Sequence, residues 1–261
     1  MTDPLIVDVY QGDGKKDWRA FVAAGAPWAG VVFKATQGTY YRPPWYAEER
    51  RAFLDAAGER LAATLFEGAY HYLDFQLDGA AQADYFVRAV ELAGGEQRDT
   101  LWGMVDVERG GQRVQQLTKA LVADCTNAFA ARYLQLTGRT ATLYGGELLR
   151  EVGITDRLGC GRSAIALYGA SLPPTVVTQT GTDLDHLLLW QYSGTEAPAR
   201  LPGYPNLAPG CGKVDISAMV LPGGIEKMRS MMWAEAPAPG RAVGMNPAPA
   251  RTSGPSDSAT S

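Results

Sequence analysis

Histidine and cysteine are scarce in this chain, with two of the former and three of the latter among 261 residues. His71 and His186 stand far apart and no acidic loop of calcium type occurs, so the ligand count for a metal centre is not met. Cys125, Cys160 and Cys211 are too few for a disulfide framework, and none stands in a CxxC pair. Cys160 and Cys211 lie beside glycines in apparent loops and could pair only if the fold brought them together. Cys125 falls within a helical pattern, which argues against a thiol nucleophile. Neither a GxGxxG fingerprint nor a P-loop is present, so no nucleotide site is expected and no cofactor is implied.

A large excess of either charge is also missing. Lys and Arg number 24 against 28 Asp and Glu, a formal net charge of −4 that supplies no attraction to phosphate backbones or anionic lipid, and nucleic acid is not an expected partner. No stretch approaches the roughly 20 apolar residues that a membrane-spanning helix needs, so no membrane insertion is expected. The opening MTDPLIVDVYQG carries an acid where a secretory signal is basic, and Asp8 breaks its apolar run. The expectation is a soluble product made in a cytoplasm without a signal peptide. What remains is ordinary globular material, 46% hydrophobic, enough to close a sizeable core.

Along the chain, short apolar runs of strand character alternate with longer segments of helical period, the pattern of repeated βα units around a parallel sheet. LIVDV (5–9) is followed by DWRAFVAAG, where Trp18, Phe21 and Val22 recur at helical spacing before Gly25. GVVFKAT (30–36) leads through Pro43 and Pro44 into a helix with Tyr46, Phe53, Leu54 and Ala57 on one stripe. Strands are predicted at 61–73, 101–107 and 141–145, with helices between Gly79 and Gly94 and from Val114 to Leu136. Three further strands, 164–169, 187–192 and 213–217, are joined by segments rich in Pro, Gly and Thr rather than helical. Eight strands close a small parallel barrel packed with side chains. The expected fold is therefore α/β, a TIM-like irregular barrel of five βα units followed by three strands with loop connections. A last helix, 225–233, would cover the barrel with Ile225, Met228, Met231 and Met232. The barrel is taken as residues 1–233, and residues 234–261, dominated by Pro, Ala, Gly and Ser, as a disordered tail.

In such barrels reactive groups collect at the C-terminal ends of the strands. Asp8 lies in the first strand, Asp106 and Glu108 at the end of the fourth, and Asp215 in the eighth, beside the first once the barrel closes. Asp106 and Glu108, two apart on a strand, project from one face. Repulsion and desolvation would keep one of them protonated near neutral pH, the arrangement a glycosidase uses: an acid for the leaving oxygen beside a stabilising carboxylate. A bare DxE is common, and its ordinary reading is a solvated strand end.

The surrounding motifs resemble those of glycoside hydrolase family 25, lysozymes that cleave the β-1,4 bond after N-acetylmuramic acid. VDVYQG with the following Asp17-Trp18, KATQGT (34–39), GAYHY (68–72), VDVE (105–108), WQYSG (190–194) and KVDIS (213–217) are similar to the family's strand motifs in order, and AQADYFV (81–87) to its third helix. The loop from Asp8 to Gln11 looks about two residues shorter than usual, with Tyr10 where a serine is common; Gln37 replaces a glutamate, and Ile165 and Ala166 stand where the sixth strand generally has a tryptophan.

The resemblance implies the same barrel, no cofactor or metal, and a peptidoglycan glycan strand as substrate. It implies Glu108 as general acid/base, Asp106 orienting the substrate's 2-acetamido group or a carboxylate acting as nucleophile directly, and Asp8 and Asp215 tuning the acid and holding hydroxyls. Tyr70, Gln191 and Tyr192 are the expected substrate contacts. His71 is left open between a barrel hydrogen bond and a substrate contact, and Lys34, Tyr144 and Trp190 read as packing. The expected protein is a monomeric phage endolysin-like or wall-remodelling muramidase that reaches the cell wall after release by another protein. The alternatives are a non-catalytic glycan-binding barrel of a phage structural protein and a chitinase-like N-acetylhexosamine hydrolase.

Overall fold

The computed structural model describes residues 3–61, 63–96, 100–110, 112, 116–168, 186–194 and 202–235. Eight strands close into one barrel in sequence order: β1 (Leu5–Val9), β2 (Trp28–Gln37), β3 (Phe66–Tyr72), β4 (Met104–Val107), β5 (Thr142–Gly145), β6 (Arg162–Ala166), β7 (Leu187–Ser193) and β8 (Asp215–Met219). Helices α1 (Trp18–Ala24), α2 (Trp45–Ala57), α3 (Gly79–Leu92), α4 (Lys119–Thr137) and the short α5 (Glu147–Glu151) each follow one of the first five strands, and α6 (Gly224–Ala234) follows β8. The connections after β6 and β7, expected to be non-helical, lie largely outside the described residues, as do residues 236–261 of the expected tail. No described helix is long and apolar enough to cross a membrane.

The expectation of an all-parallel barrel needs one correction: β8 runs antiparallel to both β7 and β1. A parallel return would require a crossover along the full height of the barrel. Here the chain leaves β7 at the mouth and starts β8 from the same end. Smaller corrections concern boundaries. The fourth helix begins at Lys119 rather than Val114, because Thr118 takes extended backbone angles and its Oγ1 accepts the Leu121 N–H at 3.2 Å, an N-cap. The third strand begins at Phe66 rather than Leu61, since Gly58–Arg60 forms a 3-10 turn whose Gly58 carbonyl accepts the Leu61 N–H. The sixth strand lies two residues earlier at its start, and the eighth two residues later, than predicted.

Strand alternation sorts side chains into two cores. Outward-facing residues such as Val7, Phe33, Val105 and Leu143 pack against the helices, while Ile6, Val32, Phe66, Met104 and Leu189 fill the barrel interior together with Met228 and Met232 of α6. Trp18 stands 5.6 Å from Phe33 and 5.4 Å from Phe53, ring centre to ring centre, fastening α1 and α2 to β2. On the other flank α3 and α4 approach so closely that a Cβ on Gly79 would lie 2.1 Å from the Cys125 carbonyl oxygen. Gly138 closes α4 in the left-handed conformation at φ 74°, its N–H bonding the Leu134 carbonyl.

Opposite the mouth, the barrel is closed by charge as well as by methionines. Arg162 stacks 3.5 Å from the Trp102 ring centre and pairs with Glu235, which also accepts from Thr140. Glu235, assigned from composition to the tail, is thus bound to the barrel, so the packed chain reaches past residue 233. Between α2 and β3, fully buried Arg50 and Glu67 form a two-point ion pair at 2.6 and 3.0 Å; Thr100 adds a hydroxyl at 2.8 Å and the Gly95 carbonyl accepts from Arg50 at 2.8 Å. Cys125, Cys160 and Cys211 are all buried free thiols, so Cys160 and Cys211 do not pair.

Candidate active site

Strand periodicity points every second side chain of the interior layer upward into the mouth. On β1, Asp8 follows Ile6; on β4, Met104 leads to Asp106 and then Glu108 just past the strand; on β3, Tyr70 lies above Phe66; on β8, Asp215 precedes Ser217 and Met219. The four acids line one cavity of about 420 Å³. Met104 forms its floor, Gly194 its rim, and Tyr10, Tyr70, Tyr144 and Tyr168 the remaining walls. Asp215 reaches this end only because β8 is reversed: it begins its strand, and its direct partner across the antiparallel ladder is Asp8.

Crowding of like charge in a partly dry cavity governs the titration of the acids. Burial pushes the Asp8 carboxyl well above the usual carboxylate range, and Asp215, Asp13 and Glu108 add to the rise. Asp106, 5% exposed, is raised well above that range by burial first and Glu108 next, while Lys34 opposes the rise. Glu108 is also raised, by burial and then by Asp215, again against Lys34. Lys34 is itself lowered by burial, and its ammonium lies 4.6 Å from the Tyr72 ring centre and 6.0 Å from that of Tyr70. Among the four acids, Asp106 Oδ1 is a buried oxygen with no hydrogen-bond partner among the described residues.

Gln191 ties one wall together. Its side-chain carbonyl accepts from Tyr144 Oη at 2.9 Å, and its amide donates to Tyr168 Oη at 2.7 Å and to Asp215 Oδ2 at 3.4 Å. At 1% exposure it sits behind the lining. Burial raises the Tyr70, Tyr144 and Tyr168 phenols, so these hydroxyls stay protonated and available as donors.

Of the residues expected from sequence, Asp8, Asp106, Glu108, Asp215 and Tyr70 all meet in the cavity, and Gln191 backs it. Tyr192 does not join them. One residue from Gln191 on the same strand, it points to the outer face, is fully buried between Trp190 and Tyr204, and donates to the Pro205 carbonyl at 3.1 Å. His71, left open earlier, is likewise external: Nδ1 meets Thr36 Oγ1 at 2.7 Å, Nε2 meets Gln82 Oε1 at 3.1 Å, and the ring stacks on Phe129 at 5.1 Å. Burial lowers its pKa to about 4, so it remains neutral.

Sequence reasoning missed Tyr168 and Tyr10 as walls of the cavity, and passed over Lys34 and Tyr144 as packing. The signal was available for Tyr168, which stands just past β6 at the end where reactive groups collect, but a phenol is not one of the carboxyl groups that mark a glycosidase mouth. No described group of three or more His, Cys, Asp or Glu is arranged to hold a metal ion.

Comparison with other proteins bears on the fold and the family. An N,O-diacetylmuramidase of Chalaropsis sp is 36% identical over 129 residues, 46% of this chain and 58% of that protein, so the match covers little more than half of that relative. The bacterial lysozyme of Streptomyces coelicolor superposes with a TM-score of 0.67 at 24% identity, covering 90% of this chain and all of that one. A muramidase from Trichobolus zukalii gives 0.66 at 20%, covering 88% and 99%. At these identities the two superpositions speak for the fold. Residues 7–199 match the sequence profile of Glycosyl hydrolases family 25, about three quarters of the chain and seven of its eight strands, and the chain belongs to that family.

Proposed function

We propose that the protein is a muramidase that hydrolyses the β-1,4 bond between N-acetylmuramic acid and N-acetylglucosamine in peptidoglycan, with Glu108 as general acid/base. The observation that carries this reading is the convergence of Asp8, Asp106, Glu108 and Asp215 in one cavity where burial and mutual repulsion favour the protonated forms. Glu108 suits the proton donor: it is raised, yet stands at the open end of β4 where a glycosidic oxygen can reach it. Asp106, deeper and with an unpartnered oxygen, suits the acceptor for an amide N–H, the group that a 2-acetamido sugar would bring.

In the forward step the acetamido oxygen attacks the anomeric carbon while Asp106 holds the amide N–H, and the departing sugar oxygen takes the Glu108 proton. Water then attacks the same carbon and gives its proton to Glu108, restoring the acid and releasing the acetamide. Asp8 and Asp215 raise the acid's pKa and receive sugar hydroxyls, and Tyr70 contacts the sugar. Gln191 holds Asp215 and two tyrosines in place rather than touching substrate. We assign residues up to Glu235 to the catalytic barrel, acting as a monomer at the bacterial cell wall.

Purified protein should release reducing ends from peptidoglycan, and mass spectrometry should find N-acetylmuramic acid at the new termini. Glu108→Gln should remove that activity in a folded protein. Reducing N-acetylglucosamine instead would overturn the bond assignment, and full activity in the variant would overturn the role of Glu108.

A further inference from the structure

Past Glu108, beside the mouth, lies a second cavity of about 450 Å³. The two share Glu108 and Tyr168 in their linings, so they adjoin. The chemistry changes across that shared wall. In the mouth the titratable lining consists of carboxyl and phenol groups, whereas the annex brings in two arginines, Arg109 and Arg150, with Glu147 beside them. Arg109 forks onto Glu151 at 2.7 and 3.0 Å, but both side chains are about half exposed, at 48% and 51%. Water screens such a pair, and an incoming carboxylate can compete for the guanidinium. Arg150 is exposed on α5 and makes no ion pair with a described residue.

We propose that this annex is a binding site for a carboxylate carried on a substituent of the glycan, held by Arg109 and Arg150 while the reacting sugar occupies the acid-lined mouth. The inference rests on the proposed function and names a feature of its substrate. A guanidinium makes stronger, two-point hydrogen bonds to a carboxylate than to the hydroxyls of a neutral polysaccharide. An anionic one meets four carboxyl groups in the mouth and is accommodated only if its charge is held elsewhere. Arginine presents a planar fork that matches a carboxylate at two points, and the annex supplies two within reach of one ligand. Of the four acids of the mouth, Glu108 is the one that also lines the annex, and it is itself biased toward its neutral form by burial and by Asp215. On a muramic residue the carboxylate is either that of the lactyl ether, when free, or one on the attached peptide.

The test is affinity measured by calorimetry in an Asp106→Asn background, with three ligands of equal sugar length: a glycan with free lactyl carboxylates, the same glycan bearing peptides, and a chito-oligosaccharide with neither. Arg150→Gln and Arg109→Gln should each weaken binding of a carboxylate-bearing ligand by about fivefold, the upper range for an exposed charge pair, and leave the chito-oligosaccharide unchanged. Loss on both anionic ligands identifies the lactyl or equivalent carboxylate, and loss only on the peptide-bearing one identifies the peptide's. Arg132→Gln, an arginine on α4 paired with Asp84, serves as the control for a general change in charge. If Asp106→Asn fails to fold, Asp215→Asn replaces it. Arginine variants that bind the carboxylate-bearing ligands as tightly as the parent does would overturn the annex. Hydrolysis by the wild type with no annex effect leaves the proposed function standing, and an annex effect without hydrolysis does the reverse.

Discussion

Asp8 and Asp215 oppose each other directly across the antiparallel β1–β8 ladder, two carboxyl groups on the same face. Cβ atoms at such a pair lie about 4.5–5.5 Å apart, and like charges there are destabilising. A fold places acids this way at a cost to its own stability, which is a common property of reacting centres. The consequences can be measured.

Removing the proposed acid should affect rate far more than stability. Glu108→Gln is expected to lower kcat by about 10²–10⁴-fold, and Asp106→Asn by a similar order, with melting temperatures equal to or above that of the wild type. Reducing-end release against thermal melts of the same preparations checks both halves. A variant that loses activity because it has unfolded would not count in favour.

The raised carboxyl groups set the sign of a pH effect on stability. Unfolded carboxyls titrate near 4, whereas Asp8, Asp106 and Glu108 titrate higher in the folded protein. Their contribution is therefore complete below the unfolded value and lost as pH rises through the folded ones. Asp8→Asn should melt higher than the wild type at pH 8, by about 2–4 °C for each kcal/mol relieved, and the difference should shrink toward pH 4. A lower melting temperature for Asp8→Asn at pH 8 would contradict the crowding described here.

Neighbouring positions on β7 should behave oppositely. Gln191→Leu removes the link among Tyr144, Tyr168 and Asp215 and is expected to reduce kcat by about tenfold or more, since the Tyr144 phenol loses its acceptor and the wall of the cavity loses its tie to Asp215. Tyr192→Phe removes only the bond to the Pro205 carbonyl, at a cost of about 1 kcal/mol in stability, with activity unchanged. Steady-state rates and urea midpoints of the two variants decide the matter.

Far from the cavity, the Arg50–Glu67 pair is a structural device. Each side chain is 2% exposed, so removing one partner strands the other charge in the interior. Glu67→Gln is expected to destabilise the barrel by about 3–5 kcal/mol. Denaturant unfolding should show the shift in midpoint, and a change below 1 kcal/mol would mean that the remaining guanidinium finds another partner or water.

The parts of the fold legible in the sequence are those that depend on local pattern. The βα alternation, the face of α6 with Met228 and Met232, and the stop at Gly138 follow from periodicity and backbone preference, and the structure has them. The direction of β8 was not legible, because KVDIS reads the same run up or down and only the closure of the barrel decides. Asp215 was assigned to the mouth because the eighth strand adjoins the first once the barrel closes; it stood in the middle of the predicted strand, and the reversal of β8 makes it the first residue at the mouth. Tyr192 shows the complementary failure: alternation from Gln191 already pointed it outward, and a stretch of motif overrode the period. Tyr10 and Tyr168 belong to no titratable pattern, so only the assembled wall reveals them.

The placement of Glu235 has a practical bearing on protein engineering. Its contacts with Arg162 and Thr140 put it at the pole of the barrel away from the cleft. A targeting module joined behind this residue would therefore begin on the far side of the molecule, and its linker would have to span the height of the barrel before it could touch a polymer lying in the groove.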